Sequence, residues 1–327
     1  MTTKLEKELK KPRSFKISTG KCPKVLLLGN GISRAFSEQN SWDDLLAKIS
    51  DESIPLPITN EMPMPLKATL LSKNGKNLVE KLKELIDNKD NPWGFSVDEP
   101  QKEFLQKLID LKFDYILTTN YSLEIECALL DKLEMEEKDI QKIRAHYSEG
   151  LQKKFFINTY NNFNNKKLSV WHIHGDVGST DSIALNNEIY GKLIAKYYEW
   201  INNNFKDKDC NSKEIKSWID AFLFGNVYIL GFGMDFSETD LWWLLEYKAK
   251  KYRDKKVFGE TMFFDKDLKN KAKTDFKAWC KYKLFEILKV QVEDRGGKIS
   301  DFKDFYEEAY EYLKNDPLKK KNETQKK

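Results

Sequence analysis

The chain has 327 residues, 40% of them hydrophobic and 33% charged, with four cysteines, no CxxC pair and a formal net charge of +4. This composition predicts a soluble protein with one large α/β domain or two smaller ones. It argues against a membrane-spanning or secreted protein, because no apolar run approaches the roughly 20 residues that cross a bilayer and the first residues lack the apolar centre of a signal peptide. We therefore expect a cytoplasmic protein with reduced thiols.

The positive charge is concentrated at the two ends of the chain. Residues 1–21 carry seven Lys and Arg against two Glu, and residues 316–327 carry five Lys against two acidic residues, which leaves −4 for the residues between them. The composition of these ends predicts a disordered basic arm over 1–21 and a disordered basic tail over 316–327, flanking one domain over 22–315. A folded nucleic-acid-binding protein concentrates positive charge on its body, so we expect no nucleic-acid partner.

The first predicted strand, near Lys24–Leu28, runs into the sequence GNG and then into a helix through Phe36. Two glycines allow the backbone to approach a pyrophosphate, the following helix offers unpaired N–H groups, and Ser33 could add a hydroxyl. The third glycine of the dinucleotide fingerprint is absent, because Arg34 stands where it would fall. Taken alone, the motif fits an ordinary strand-to-helix turn equally well.

Helical elaborations are predicted in two places. Four prolines between Ile54 and Leu66 predict a loop, and helical patterns follow it, so the first elaboration covers about 54–110. A second segment, rich in Lys and Asn, predicts helices over about 180–224.

Further short apolar strands are predicted at FDYILTTNY, LSVWHIHGD and NVYILGFGMDF, with KKFFINTY, TMFFD and KLFEIL as additional candidates. Strands that alternate with helices predict an α/β fold, a Rossmann-like and mostly parallel sheet with helices on both faces. Polar or glycine residues follow four of these strands: Gly29-Asn30-Gly31, Thr118-Thr119-Asn120, His174-Gly175-Asp176 and Gly231-Phe232-Gly233. Ligands bind beyond the carboxyl ends of parallel strands, so the four segments predict a single site.

The individual polar residues allow more than one interpretation. Asn120 could hold a water or a ribose hydroxyl, or it could form an Asx turn or a helix N-cap. His174 lies nearest the predicted site, whereas His172 fits a core histidine. Ser237 and Asp240 fit an S-x-x-D capping pattern. No third ligand lies at a suggestive spacing from the two histidines, so we expect no metal.

Taken together, these segments resemble the SIR2-like (sirtuin-related) family. GNGIS is similar to its first nucleotide turn, SWDDLL to the following tryptophan-containing helix, TTNY to its T-x-N segment, HIHGD to its catalytic histidine-glycine, and GFGMDFSETDLWWLL to its late glycine strand and helix. The resemblance runs from about Val25 to Tyr247 in the order of the family. It implies an NAD site at the carboxyl edge of the sheet.

The resemblance also implies roles for single residues. Asn120 would fix the nicotinamide ribose and an attacking water, and His174 would engage the ribose and act as general base. The NAD-binding residues would be Gly29, Asn30, Gly31 and Ser33 at the phosphates and adjoining ribose, Gly231 and Gly233 at the adenosine half, and also Thr118 and Asp240.

Two departures from the family narrow the expected reaction. Sirtuin deacylases carry a zinc module with two CxxC pairs, which this chain lacks, whereas similar zinc-free proteins are bacterial antiphage effectors that hydrolyse NAD to ADP-ribose and nicotinamide. Many relatives carry aspartate where this chain has Ser122, a departure that favours a module that binds the nucleotide without cleaving it. The absence of the zinc module has the greater weight. We therefore expect an antiphage NAD hydrolase without a metal, controlled by homo-oligomerisation or by a partner protein such as an ATPase. The alternatives are a non-catalytic module that senses NAD or ADP-ribose, and a protein deacylase or ADP-ribosyltransferase.

Overall fold

The computed structural model describes residues 15–16, 22–36, 46, 48, 62–72, 78–86, 97–131, 158–162, 166–177, 182–205, 214–215, 217–253, 259–294 and 301–318. Its strands are β1 (Phe15–Lys16), β2 (Lys24–Leu28), β3 (Tyr115–Thr118), β4 (Asn158–Asn162), β5 (Lys166–His172), β6 (Glu214–Ile215), β7 (Asn226–Leu230), β8 (Thr261–Asp265) and β9 (Val290–Asp294). Its helices are α1 (Gly31–Phe36), α2 (Met64–Ser72), α3 (Leu78–Ile86), α4 (Glu99–Asp110), α5 (Glu124–Asp131), α6 (Asn187–Phe205), α7 (Trp218–Phe224), α8 (Thr239–Arg253), α9 (Leu268–Lys271), α10 (Phe276–Ile287) and α11 (Phe302–Lys314).

The main sheet has seven strands in the order β4-β5-β3-β2-β7-β8-β9. Six neighbouring strands of this sheet run parallel, namely β5, β3, β2, β7, β8 and β9. Strand β4 is antiparallel to β5 at one edge. The predicted Rossmann-like α/β sheet is therefore confirmed. From β2 the chain builds outward through β3 to β5, and it then builds outward on the other side through β7 to β9. The strand order thus reverses between β2 and β7, which is where open α/β sheets bind ligands.

Alternation along β2 explains why helices cover both faces of the sheet. Leu26 and Leu28 pack in one apolar cluster with residues of α4, α5 and α11. Val25 and Leu27 pack in a second cluster with residues of α6, α7, α8 and α10. Because both faces are buried, the strand reads as a continuous apolar run rather than as an alternating one.

Not every predicted element lies where the sequence placed it. The segment KLFEIL, predicted as a strand, belongs to the end of α10 and its C-cap, and the last strand is β9 instead. The Asp275 side chain accepts a hydrogen bond from Ala278 N–H at 2.6 Å and caps the helix, and Phe285 is its one fully buried side chain. A short apolar run cannot by periodicity alone be told from a helix that buries one side.

The structure differs from the sequence predictions at the ends of the chain. Within the arm predicted to be disordered over 1–21, Phe15–Lys16 form β1 and pair antiparallel with β6. The residues from Ser41 to Asp44 of the SWDDLL segment and residues 54–61 of the proline-rich loop lie outside the described residues. In the predicted basic tail, Leu318 is buried and its N–H donates to Tyr228 Oη at 3.3 Å, so residues 316–318 pack on the fold. Among the described helices, none is both long and apolar enough to cross a membrane.

A buried lysine joins α7, α8 and the start of β8. Lys248 Nζ donates to the backbone oxygens of Phe222 and Gly225, both at 2.9 Å, and lies 3.4 Å from that of Glu260. Helix C-termini leave carbonyl groups without intrahelical partners, and a cation is the favoured group to satisfy them. Lys248 therefore closes the C-terminal end of α7 at the edge of the sheet opposite the strand ends considered below.

We expect Lys248→Met to lower the free energy of unfolding by about 1–3 kcal/mol, because it leaves buried carbonyl oxygens without their donor. Urea unfolding followed by circular dichroism measures the change. Lys250→Met, on the exposed side of the same helix, serves as control and should stay close to the wild type. Equal stability of the two variants would contradict a capping role for Lys248.

Candidate functional site

The four segments singled out in the sequence meet at one edge of the sheet. They follow β2, β3, β5 and β7, which are parallel neighbours, so their carboxyl ends share that edge. A cavity of about 450 Å³ opens there. The predicted site residues in its wall are Asn30, Gly31, His174, Gly231 and Gly233. Gly29, Ser33, Thr118, Asn120 and Asp240 are buried and are not among the lining residues, and Asn120 keeps 7% of its surface exposed.

The two glycine turns pack against each other. Gly31 N–H donates to the backbone oxygen of Gly231 at 2.7 Å, and Gly29 N–H donates to that of Leu230 at 3.1 Å. A Cβ at Gly31 would lie 2.4 Å from Tyr306 Oη and 2.7 Å from the Gly231 oxygen. Gly231 itself has φ of +68°, which favours glycine. The glycine at position 31 is thus required by this packing, and its amide is already paired within the protein.

Gly233 differs from the other glycines of these turns. A Cβ at this position would meet no atom within 4 Å, and Gly233 lies in the cavity wall. Its backbone oxygen accepts a hydrogen bond from Lys281 Nζ at 2.7 Å. Packing and backbone conformation therefore do not require a glycine at position 233.

A buried carboxylate, Glu124, holds polar residues next to the cavity wall. Its Oε1 accepts hydrogen bonds from Ser33 Oγ at 2.9 Å and from Asn120 Nδ2 at 2.5 Å, and its Oε2 accepts one from Ser122 Oγ. Gln101 Nε2 in turn donates to Ser33 Oγ at 2.9 Å. Burial raises the pKa of Glu124, and the three hydrogen bonds oppose that rise.

Asn120 is fixed at both its side chain and its backbone. Its Nδ2 is committed to Glu124, so Oδ1 is the acceptor that the amide can offer elsewhere. Its N–H donates to Thr118 Oγ1 at 3.1 Å, and its backbone oxygen lies 2.7 Å from His172 Nδ1. Its chain neighbours Thr119 and Tyr121 line the cavity.

His172 lies in the core, where the sequence interpretation put it. Its Nε2 is 3.0 Å from Glu126 Oε1, and both side chains are fully buried. Burial lowers the pKa of His172, but the Glu126 carboxylate, the Asp176 charge and the Asn120 carbonyl together outweigh burial and bring the pKa to about 9. A protonated His172 then donates to the backbone of Asn120 and positions that residue.

His174 stands between two carboxylates. Its Nε2 lies 3.0 Å from Asp240 Oδ2, and its Nδ1 lies 3.9 Å from Glu238 Oε2. Two tyrosines complete the group, since Tyr197 Oη donates to Asp240 and Tyr190 Oη donates to Glu238, both at 3.2 Å. The His174 side chain is only 3% exposed, and that small surface faces the cavity.

Burial and neighbouring charges shift the pKa values of His174 and Glu238. Burial lowers the pKa of His174, but the Asp240 and Glu238 carboxylates together outweigh it, so the pKa is raised. Burial also raises the pKa of Glu238, to about 7, with His174 opposing and Asp240 adding to the rise. The cavity wall therefore holds a carboxyl group that exchanges its proton near neutral pH beside an imidazole whose protonated form is favoured.

Among the described residues, one group could hold a metal ion. Ligand atoms of His174, Glu238 and Asp240 all lie within 4.8 Å of one another. The two carboxylates approach different nitrogens of the imidazole ring. In this structure hydrogen bonds hold the group together, from the imidazole ring to Asp240 and from the two tyrosines to the two carboxylates.

The charges of the cavity wall are divided along the sheet edge. Arg34, Lys266 and Lys271 line the cavity beyond β2 and β8, whereas His174 and Glu238 line it beyond β5. Four strand spacings separate β5 from β8, or about 19 Å. The side of the cavity beyond β2 and β8 thus offers three cations with Asp265 among them, and the side beyond β5 offers His174 and Glu238.

Sequence reasoning missed Glu238 and the tyrosines that hold it and Asp240. The S-x-x-D pattern offered a capping role for Asp240, but its carboxylate is bonded to His174 and Tyr197. Glu238 could have been predicted from its position, two residues before Asp240 and five residues after Gly233 of the second glycine turn. Tyr190 and Tyr197 come from α6, far along the chain, and left no local signal.

A comparison with known families supports the resemblance seen in the sequence. Residues 114–247, about two fifths of the chain, match the family model described as a SIR2-like domain. No curated protein matches the chain. The matched segment contains Asn120, His174, Glu238 and Asp240 and begins after the first glycine turn.

We expect Gly31→Ala to lower the free energy of unfolding by about 1–3 kcal/mol, because the added methyl group overlaps the backbone of Gly231. Gly233→Ala, the matched control at the same edge, should leave it within about 0.5 kcal/mol of the wild type. Thermal unfolding of the two variants measures both. Comparable losses at both positions would mean that the turns do not pack as described.

A pH prediction follows from Glu238. The folded protein keeps a proton on this carboxyl up to about pH 7, whereas the unfolded chain releases it above the ordinary value of 4.5. Stability of the wild type therefore falls as pH rises through this window. Glu238→Gln cannot ionise, so its stability relative to the wild type should rise between pH 5 and pH 8 (about the span of the two pKa values).

Urea unfolding at a series of pH values measures this difference. Glu246→Gln, an exposed residue of α8, should show no relative change with pH. A difference between Glu238→Gln and the wild type that does not vary with pH would show that Glu238 ionises normally.

Proposed function

We propose that this protein hydrolyses the nicotinamide–ribose bond of NAD and releases ADP-ribose and nicotinamide. The observation that carries the proposal is the position of His174, which is held by Asp240 in the wall of the cavity that the first glycine turn also lines. The match to a SIR2-like domain supports an NAD-related function.

The cavity fits a dinucleotide in size and charge. Its volume of about 450 Å³ lies within the range of small-molecule sites. Arg34, Lys266 and Lys271 suit the pyrophosphate, because charge-assisted hydrogen bonds to phosphate are strong. Since Gly31 N–H is already paired, we assign phosphate binding to these cations and to Asn30 rather than to that amide. Gly233 allows the nucleotide to approach the backbone.

The end of the cavity that holds His174 and Glu238 suits cleavage of the nicotinamide–ribose bond. Cleavage of the nicotinamide–ribose bond passes through an oxocarbenium-like centre, as in glycoside hydrolysis. The bonding electron pair leaves with nicotinamide, which departs as a neutral molecule, and the oxygen of water bonds to the ribose carbon. Glu238 in the cavity wall faces the developing positive charge, a role that residue 122 cannot fill with a serine.

The proton released by the attacking water goes to His174. A histidine is suited to this transfer near neutral pH. Asp240 orients the ring through Nε2 and stabilises the imidazolium that forms. Asn120, whose Nδ2 is held by Glu124, offers Oδ1 to the ribose or the water. Glu124, Ser33 and Gln101 would act only by holding that amide in place.

We further propose that the hydrolysis serves antiphage defence by depleting NAD. Continuous hydrolysis would harm the host, so the activity needs control by association between copies or by a partner protein, for which an ATPase is one candidate. NAD is the substrate in this proposal, and no step uses a metal.

We expect His174→Ala and Asn120→Ala each to lower the rate of nicotinamide release by about 10²–10⁴, the range for positioned acid–base and polar groups. Incubation with NAD followed by chromatographic separation of nicotinamide and ADP-ribose measures the rate. Glu246→Gln, exposed and distant from the cavity wall, is the control and should retain the wild-type rate.

Other outcomes would select other functions. NAD binding without nicotinamide release, in the wild type as in His174→Ala, would favour the sensing module. Release that requires an added acceptor protein would favour a deacylase or an ADP-ribosyltransferase. In bacteria challenged with phage, the defence proposal requires protection by the wild type and its loss in His174→Ala.

A further inference from the structure

Helix α10 carries an apolar stripe on the side that faces away from the sheet. Phe276 is 78% exposed and Ile287 is 61% exposed, and Trp279 lies between them with its ring stacked on Phe276 at 5.8 Å. Residues three, seven and eleven positions apart share one side of a helix. Phe285 lies on the opposite side and is buried against the sheet. Exposed apolar stripes of this kind mark contact surfaces.

The stripe is surrounded by positive charge. Residues 273–289 contain five lysines against two acidic residues, and Lys273 and Lys283 are exposed beside the stripe. Complementary charge selects the partner of such a surface. The partner surface should therefore be acidic and should offer an aromatic or apolar floor.

Helix α11 of the same chain presents a surface of that description. A shallow hollow of about 470 Å³ is lined by Glu307, Glu308, Glu311, Tyr312 and Asn315. Residues 301–315 carry five acidic residues against two lysines. The hollow thus combines negative charge with an aromatic ring.

The two surfaces lie on opposite sides of the sheet. Phe263 of β8 packs against Phe285 of α10 with ring centroids 4.6 Å apart. The next residue, Phe264, packs against Tyr312 of α11 at 6.1 Å. Successive side chains of a strand point to opposite faces. One chain therefore cannot bring its own α10 to its own α11.

We propose that α10 of one copy of this protein docks on the acidic hollow of α11 in a second copy. Because the two surfaces differ, each contact leaves one α10 and one α11 unused, and further copies add head to tail. The lysines beside the stripe pair with Glu308 and Glu311. Lys283 and Glu311 thereby exchange their exposed partners within the chain, Glu286 and Lys314, for each other across the two copies. The stacked rings cover Tyr312. This contact does not depend on the proposed NAD hydrolysis.

Sedimentation velocity of the full chain tests the proposal through two variants and their mixture. The variant Phe276→Ser/Trp279→Ser removes the two aromatic rings of the stripe. The variant Glu308→Lys/Glu311→Lys reverses the charge of the hollow. We expect the wild type to form larger species as its concentration rises and smaller ones as salt rises, and each variant to remain a monomer. An equal mixture of the variants should form dimers and nothing larger, since only one intact surface of each kind is left.

Lys250→Glu, an exposed change on α8, should associate like the wild type, and circular dichroism checks that every variant folds. The single change Phe276→Ser replaces the double variant if the latter unfolds. A monomeric wild type, association that survives both variants, or a mixture that stays monomeric would each overturn the proposal. Binding of a labelled single-stranded oligonucleotide, lost with the stripe in a monomeric chain, would assign the surface to nucleic acid instead.

Discussion

The hydrogen bond from Gly31 N–H to the Gly231 oxygen fixes the geometry on which the whole candidate site depends. It joins the turns after β2 and β7 at the point where the strand order reverses. With the first turn held in this way, α1 begins at the sheet edge. With the second turn held, the segment that follows it carries Glu238 and Asp240 to His174, which lies two strands beyond β2. A bulkier residue at position 31 would separate the turns.

Charged groups buried behind this edge are costly to the fold. Glu124, Glu126 and Asp240 are all buried, and each accepts hydrogen bonds from neighbouring side chains. Glu126 Oε2 and Asp240 Oδ1 have no hydrogen-bond partner among the described residues. Removing charges from water costs several kcal/mol for each ion, and well-packed apolar residues are often at least as stable. Three such groups along one edge therefore indicate a functional demand. Polar groups held rigidly before the substrate arrives are what a reaction with a developing charge requires.

The parts of the fold that depend on short-range pattern could be predicted from the sequence. Continuous apolar runs predicted β2, β3 and β7, and the polar and glycine residues after them predicted the edge of the sheet where the site lies. What the sequence could not give is which polar residues share a contact, because Tyr190, His174 and Glu238 meet only when α6, β5 and the second glycine turn pack together. The strand predicted at KLFEIL was wrong for a local reason, because a helix that buries one side and a buried strand have similar apolar patterns over six residues.

The missing third glycine of the dinucleotide fingerprint has a physical explanation in this site. In that fingerprint the third glycine lets a long helix pack closely on the strand, and the helix end binds the phosphates. Here the amide of Gly31 is already paired with the backbone oxygen of Gly231. A paired amide offers little to an anion. Arg34, at the position of the third glycine, brings a full positive charge to the cavity wall, and our proposal assigns the pyrophosphate to this cation rather than to the backbone.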